Sequence, residues 1–325
     1  MQTLSDIEEI KLEDLNVEGF IADQVESIRG QVGDGVAINA LSGGVDSSVV
    51  TLLGHRALGD RLRTIFVDSG IMRQGEPEWV HSVFEDLGVE VEVLDAQDEF
   101  FGALGGLTDP EEKREAVTQT FYRTVFGREV QKSGARHLLQ GTNYTDVEET
   151  VAGIKRQHNI LEQLGIDTEA MYGYRVIEPI IQLRKSGVRR VGRALGLPEE
   201  VYNAPPFPGP ALATRVIGEV TRDRVATVRL ANHIVEEELR GSGAFQYLAI
   251  LHEDRVTGMR DGERDFGQQI EVRCWDSTDA VKGKPTALSF EQLQQLGRRI
   301  STEVPGVVSV TYNITTKPPS TIEPI

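Results

Sequence analysis

The residues with the clearest chemical potential form one short string, Ser42-Gly43-Gly44-Val45-Asp46-Ser47-Ser48. It follows an apolar run, Val36 to Leu41, that reads as a buried strand, and it leads into Val49, Val50, Leu52 and Leu53, apolar at helical spacing. A strand, a glycine-paired turn and a helix start, in that order, aim several backbone N–H groups at one concavity. The helix dipole adds partial positive charge there, so a phosphate or pyrophosphate is the natural guest. Phosphate loops of the GxxxxGK(S/T) kind carry a lysine that follows a γ-phosphate in transfer. This turn has no lysine and offers the hydroxyls of Ser42, Ser47 and Ser48 instead. Such donors suit a pyrophosphate that departs as one unit.

The surrounding pattern alternates strands and helices, as a parallel sheet with crossover helices requires. Strands are expected at 36–41, 63–67, 89–94 and 136–140, with helices at 17–30, 46–58, 76–87 and about 110–133. Asp109 and Pro110 give the last helix an N-cap and a proline at its first position. Four prolines in the six residues 205–210 read as a stiff, extended connector. Beyond it the pattern predicts helices at 224–240 and 289–303 and strands near 247–252, 268–275 and 307–314, an α+β unit with antiparallel pairing. The fold class expected is therefore α/β, a doubly wound parallel sheet over 1–204, followed by a smaller α+β domain over 205–325.

Other candidate residues sit at strand ends on the same edge of that sheet, where doubly wound folds place their ligands. Phe66-Val67-Asp68-Ser69-Gly70 ends the second strand in an acidic turn, in which Asp68 serves a ribose or simply caps the loop. Gln140-Gly141-Thr142-Asn143-Tyr144-Thr145-Asp146 ends the fourth. Asp46 and Asp146 could share a Mg²⁺ with phosphate oxygens, the ligands this ion prefers; the plainer role for Asp146 is an Asx turn. Ile154-Lys155-Arg156-Gln157-His158-Asn159 reads as a basic loop, in which Lys155 could neutralise charge growing on an α-phosphate. A solvated charge cluster is the ordinary explanation of such a string. The closing Thr316-Lys317-Pro318-Pro319-Ser320-Thr321-Ile322-Glu323 carries groups able to hold a phosphorylated ligand, against the default of a frayed terminus.

Composition sets the bounds. The chain has 325 residues, a formal net charge of −17 and one cysteine, Cys274. An internal disulfide and a cysteine-cluster metal site are excluded, and the thiol is expected to be packed. The acidity argues against sequence-independent nucleic-acid binding, which needs a basic surface. No apolar run approaches the roughly eighteen residues of a membrane span. The acidic start lacks the basic and apolar regions of a signal peptide, so a cytoplasmic location is expected.

Taken in order, these motifs resemble GMP synthetase, specifically the ATP-pyrophosphatase part of its two-subunit form. The resemblance is carried by LSGGVDSS at 41–48, FVDSGIMR at 66–73, DPEEKR at 109–114, QGTNYTD at 140–146 and IKRQHN at 154–159. It continues through PFPGPAL at 206–212 with Arg215, GEV at 218–220 and KPPSTIE at 317–323. It implies that ATP is split to AMP and pyrophosphate to activate a carbonyl oxygen of xanthosine monophosphate (XMP), that ammonia from a separate glutaminase subunit displaces AMP, and that the C-terminal domain makes a homodimer. By motif, Ser42, Gly43, Gly44, Val45, Asp46, Ser47 and Ser48 would hold pyrophosphate, with Asp46 on the magnesium. Val67 would help seat the adenosine, while Lys155 and His158 belong to a lid. Arg215, Lys317, Thr321, Ile322 and Glu323 would serve the acceptor nucleotide, and Gly141 the ATP side.

Several positions depart from the family pattern. The lid reads IKRQHNILE where IKSHHNVGG is usual, and Asn143 and Thr145 replace the Ile and Pro of GTIYPD. Pro205 stands where a histidine is normal, and Ala211 replaces a glycine. The ATP-side motifs are thus kept better than the acceptor-side ones. That pattern also fits a paralogue aminating another purine nucleotide, or a catalytically silent regulatory subunit.

Overall fold

A computed structural model of the chain describes residues 7–151, 174–260, 262–278 and 281–324. The candidate lid, with Lys155 and His158, lies outside the described residues. The chain forms two compact units. One comprises Met1–Val67, Pro77–Asp95 and Phe121–Ala204; the other comprises Asp68–Glu76, Ala96–Thr120 and Pro205–Ile325. Residue 205 is thus where the chain enters the second unit for the last time, and two earlier segments, 68–76 and 96–120, also belong to it.

In the first unit, β1 (Ala37–Leu41), β2 (Leu62–Asp68), β3 (Val91–Asp95), β4 (His137–Leu139) and β5 (Arg175–Ile177) form a sheet of order β3-β2-β1-β4-β5. β1 runs parallel to both β2 and β4, and β4 is parallel to β5. From β1 the chain builds outward first to one side and then to the other, so the carboxyl ends of β1 and β4 flank the topological switch point. β1 is fixed from beneath by a buried polar triad. The Asn39 amide donates to Thr51 Oγ1 at 2.6 Å and its carbonyl accepts from Thr64 Oγ1 at 2.8 Å, joining β1 to β2 and to α2 (Val45–Leu58). Helices α1 (Val17–Val32) and α8 (Lys185–Leu195) pack on α2; α7 (Tyr144–Val151) follows β4.

The helix expected over 110–133 is interrupted. It begins as α5 (Pro110–Gln119), capped by the Asp109 carboxylate as its residues predict, widens into a π-helix over Thr120–Phe126, and resumes as α6 (Gly127–Ser133). π-turns cluster at functional sites because the inserted residue re-aims side chains. Here Phe121, Tyr122 and Phe126 of that turn line the cavity beside Ser42 and Asp46.

The second unit holds α10 (Arg222–Leu239) against a sheet of β6 (Gln246–Arg260), β7 (Glu263–Asp276), β8 (Lys284–Pro285) and β9 (Val307–Tyr312). β6 and β7 form a long antiparallel hairpin, closed at Gly262 with φ +84°. β9 pairs with β7 in parallel, not antiparallel, because the chain crosses over through α11 (Phe290–Glu303) before returning. Ser289 and Gln292 start that helix with a reciprocal capping box. Leu248, Ile250 and Trp275 form a core cluster that Ile322 of the tail completes. Cys274 of β7 is buried, and burial pushes its thiol up, as expected of a packed residue. Among the described residues no helix is long and apolar enough to cross a membrane.

Candidate nucleotide-binding site

The switch point of the first unit carries the phosphate turn. Gly43 adopts φ +77°, a left-handed conformation open to glycine, and Gly44 is the N-cap of α2 with no side-chain cap of its own. The hydroxyls organise the turn. Ser42 and Ser47 Oγ lie 2.9 Å apart, the Ser42 N–H donates to Ser47 Oγ, and Ser47 donates to the Gly44 carbonyl. Ser48 is fully buried and donates to the same carbonyl, which places it in the interior of the turn. Ser42 and Ser47 line a cavity of about 250 Å³ together with Asp46, Gly141 and Asp146. Enclosure pushes the Tyr122 phenol above its ordinary range, with Tyr174 and Asp146 acting in the same direction, so this wall stays uncharged.

Gly141 shows why the fourth strand end must carry glycine. A Cβ there would meet the Asp46 backbone carbon and the Ser47 nitrogen at 3.2 Å, so the two strand-end loops touch backbone to backbone. Asp146 caps α7 by accepting the Asn143 N–H at 3.0 Å, and Asn143 Oδ1 accepts the N–H groups of Thr145 and Asp146. The Asx turn is thus made by Asn143 and not by Asp146, which lines the cavity together with Asp46.

Lys185, which the sequence did not single out, and Asn143 of the strand-end string converge on Asp46. Lys185, the first residue of α8, forms an ion pair with Asp46 Oδ2, and Asn143 donates to the same oxygen at 3.4 Å. Asp46 Oδ1 is buried and has no hydrogen-bond partner among the described residues. An orphaned carboxylate oxygen beside a second acid and a phosphate cradle is a donor set that fits Mg²⁺. Lys185 supplies the cation that the SGGVDSS turn itself lacks, from a segment 139 residues away in sequence.

The acceptor-side candidates lie in the second unit, where the tail is docked. Arg215 is buried to 1 % exposure and forks onto Glu323 at 2.8 and 3.1 Å, while its remaining nitrogen reaches Asn232 Oδ1. Gln246 also donates to Glu323, at 2.7 Å. Arg273 donates to the carbonyls of Thr321 and Ile322, and Lys317 pairs through its backbone with Gly283. In these contacts Arg215 is a latch on the tail, and Ile322 an apolar anchor in the core.

Glu271 orients Arg273. Burial pushes the Glu271 carboxyl up, yet hydrogen bonds from His252, Arg273 and Asn313 outweigh this and hold it at about 2, below its ordinary 4.5. A depressed carboxyl contributes stability that is fully present above the unfolded value and is lost as pH falls toward the folded one. The expected result is an acid loss of stability between about pH 4.5 and 2 that is shallower in Glu271→Gln, read by denaturant titration across that range. Equal slopes in the two proteins would detach Glu271 from the tail's stability.

A parallel sheet with a lysine-free phosphate turn at its switch point, and a cation brought to that turn from another helix, makes a site suited to a phosphorylated ligand such as a nucleotide. Comparison with known proteins narrows this. The NAD synthase family model matches residues 16–209, and the GMP synthase C terminal domain model matches residues 232–324. One subunit of the glutamine-hydrolyzing GMP synthase of Archaeoglobus fulgidus is 46 % identical over 310 residues, 95 % of this chain and 99 % of that protein. The corresponding subunits from Methanothermobacter thermautotrophicus and Pyrococcus furiosus are 43 % and 44 % identical, covering 95 % and 94 % of this chain and 99 % and 97 % of theirs. The chain belongs to this family of GMP synthase subunits.

Proposed function

We propose that this protein is an ATP-dependent ligase that aminates XMP to GMP, releasing AMP and pyrophosphate, with ammonia supplied by a separate glutaminase subunit. The observation that carries the reading is the joint occurrence, on one chain of family length, of the SGGVDSS turn with Lys185 at Asp46 and a docked KPPSTIE tail. The 2-carbonyl oxygen of the base attacks the α-phosphorus of ATP, the bond to the bridging oxygen breaks, and pyrophosphate leaves. Ammonia then adds to the activated carbon, and AMP departs carrying the former carbonyl oxygen. No covalent enzyme nucleophile is needed. The protein orients two nucleotides, neutralises phosphate charge and excludes water.

In this reading the turn N–H groups, Ser42 and Ser47 hold the departing pyrophosphate, and Lys185 neutralises its charge. Asp46 and Asp146 would hold Mg²⁺, whose chemistry is to screen the phosphate oxygens. Val67 leads into the adenosine-binding turn, and Lys155 and His158 of the lid act on the α-phosphate. The second unit binds the acceptor through Lys317, Thr321 and Glu323, and residues beyond 205 form a homodimer, to be read as twice the 35.9 kDa chain mass in light scattering.

The acceptor assignment is tested by pairing XMP with its nucleoside, xanthosine, in a pyrophosphate-release assay. XMP should support turnover and xanthosine should not. Lys317→Ala should raise the KM for XMP about tenfold, the effect of roughly 1.5 kcal/mol of charge-assisted binding, while the KM for ATP stays put. Equal use of the nucleoside would mean that the tail is no phosphate clamp and that the acceptor is another compound.

A further inference from the structure

Lys185 reaches Asp46 from the first position of α8. Its side chain is half-exposed, and exposed ion pairs constrain little by themselves. Its helix packs on α2, and the residue before it is tied down by several contacts at once. Arg184 is the N-cap of α8, and its guanidinium reaches Glu9 Oε1 at 2.8 Å, Glu148 Oε1 at 2.6 Å and the face of the Tyr144 ring at 5.2 Å. The Leu183 carbonyl accepts the Tyr144 N–H at 2.9 Å, which ties the same turn to the start of α7. Glu9 is itself held. Residues 8–15 run along this turn as a strap. The Ile10 N–H donates to the Gln182 carbonyl, the Gln182 amide to the Glu8 carbonyl and Arg190 to the Leu12 carbonyl, and Leu15 is buried at its end. The strap and α7 thus meet on two nitrogens of one planar cation whose neighbour in sequence is Lys185. A fork with fixed geometry orients better than it stabilises.

We propose that Arg184 and the strap of residues 8–15 are positioning elements for the pyrophosphate site. They hold the Leu183–Lys185 turn so that the Lys185 ammonium stands at Asp46 before ATP arrives. The proposal rests on the reading that this turn faces the ATP phosphate chain, and it adds the strap, Glu9, Glu148 and Arg184 to the machinery. Positioning of this kind lowers the cost of assembling the charge that stabilises the departing pyrophosphate.

The test uses full-length protein and four variants: Arg184→Met, Glu9→Gln combined with Glu148→Gln, Lys185→Met, and Lys185→Met with Arg184→Met. Arg184→Met should lower kcat about tenfold and weaken inhibition by inorganic pyrophosphate by a similar factor. Inhibition by AMP, which lacks the β- and γ-phosphates, should not change, nor should the KM for the acceptor. The double glutamine variant should show the same pattern more mildly, which keeps the test open if Arg184→Met folds poorly. In the Lys185→Met background, Arg184→Met should add almost nothing, because residues that act through one group are not additive. Additive losses, or equal weakening of AMP and pyrophosphate, would reduce Arg184 to general support of the fold and overturn the proposal. If Lys185→Met impairs turnover while neither Arg184→Met nor the glutamine pair does, the strap proposal fails and the phosphate site stands. If Lys185→Met itself leaves turnover and pyrophosphate inhibition intact, both fail.

Discussion

Asp46→Asn should lower turnover at least a hundredfold, about 2.7 kcal/mol of transition-state stabilisation, while the fold stays intact. The geometry separates the two expectations. Asp46 stands in the first turn of α2 with one carboxylate oxygen on Lys185 and Asn143 and the other buried without a partner among the described residues. Asparagine keeps the size and one acceptor oxygen, but it removes the charge that pairs with Lys185 and the oxygen available to a metal. The folding penalty is small. Losing an acid at a helix N-terminus costs about 0.3–1 kcal/mol, and releasing a half-exposed lysine costs little more. A steady-state assay at saturating Mg²⁺ beside a thermal melt checks both halves. Near-normal turnover would leave Asp46 as a partner of Lys185 with no part in the chemistry.

Arg215→Ala should be the most damaging substitution for stability, at about 3 kcal/mol, the lower end for breaking a buried ion pair by removing one partner. Arg215 is 1 % exposed and its fork is fully spent on Glu323 and Asn232. Without it the Glu323 carboxylate keeps only Gln246 among the described residues, and the tail loses the latch that seats Ile322 against Leu248, Ile250 and Trp275. Trp275, at the centre of that cluster, is the reporter: its fluorescence transition in urea should move to lower denaturant, best read with Trp79 replaced by phenylalanine. Arg215→Lys should recover only part of the loss, because one ammonium cannot fork onto a carboxylate. A variant with unchanged stability but a raised acceptor KM would mean that Arg215 meets the substrate and not the tail.

What the residues reveal by themselves follows from how local each signal is. β1, the glycine-paired turn and α2 are legible because an apolar run, two glycines and helical periodicity follow one another directly along the chain. The Asp109–Pro110 helix start and the Ser289–Gln292 capping box are legible for the same reason. The π-turn is not, because Thr120–Phe126 carries ordinary helix periodicity and no glycine or proline marks the wider turn. Lys185 stays hidden because Arg184-Lys185-Ser186-Gly187 reads as a solvated helix start, and only the sheet order brings it to Asp46. The tail misleads in the opposite direction. Two prolines suggest a loose end, yet a single apolar residue, Ile322, and two arginines from distant positions hold it down.

The way ATP is cut distinguishes this ligase reaction from a kinase-like one. Incubation with ATP, Mg²⁺, XMP and ammonium, followed by ion-exchange separation of the nucleotides and assay of the free phosphates, measures this directly. The account predicts one AMP and one pyrophosphate for each GMP formed, with no ADP. ADP and orthophosphate as the products, or GMP formed without AMP, would contradict it.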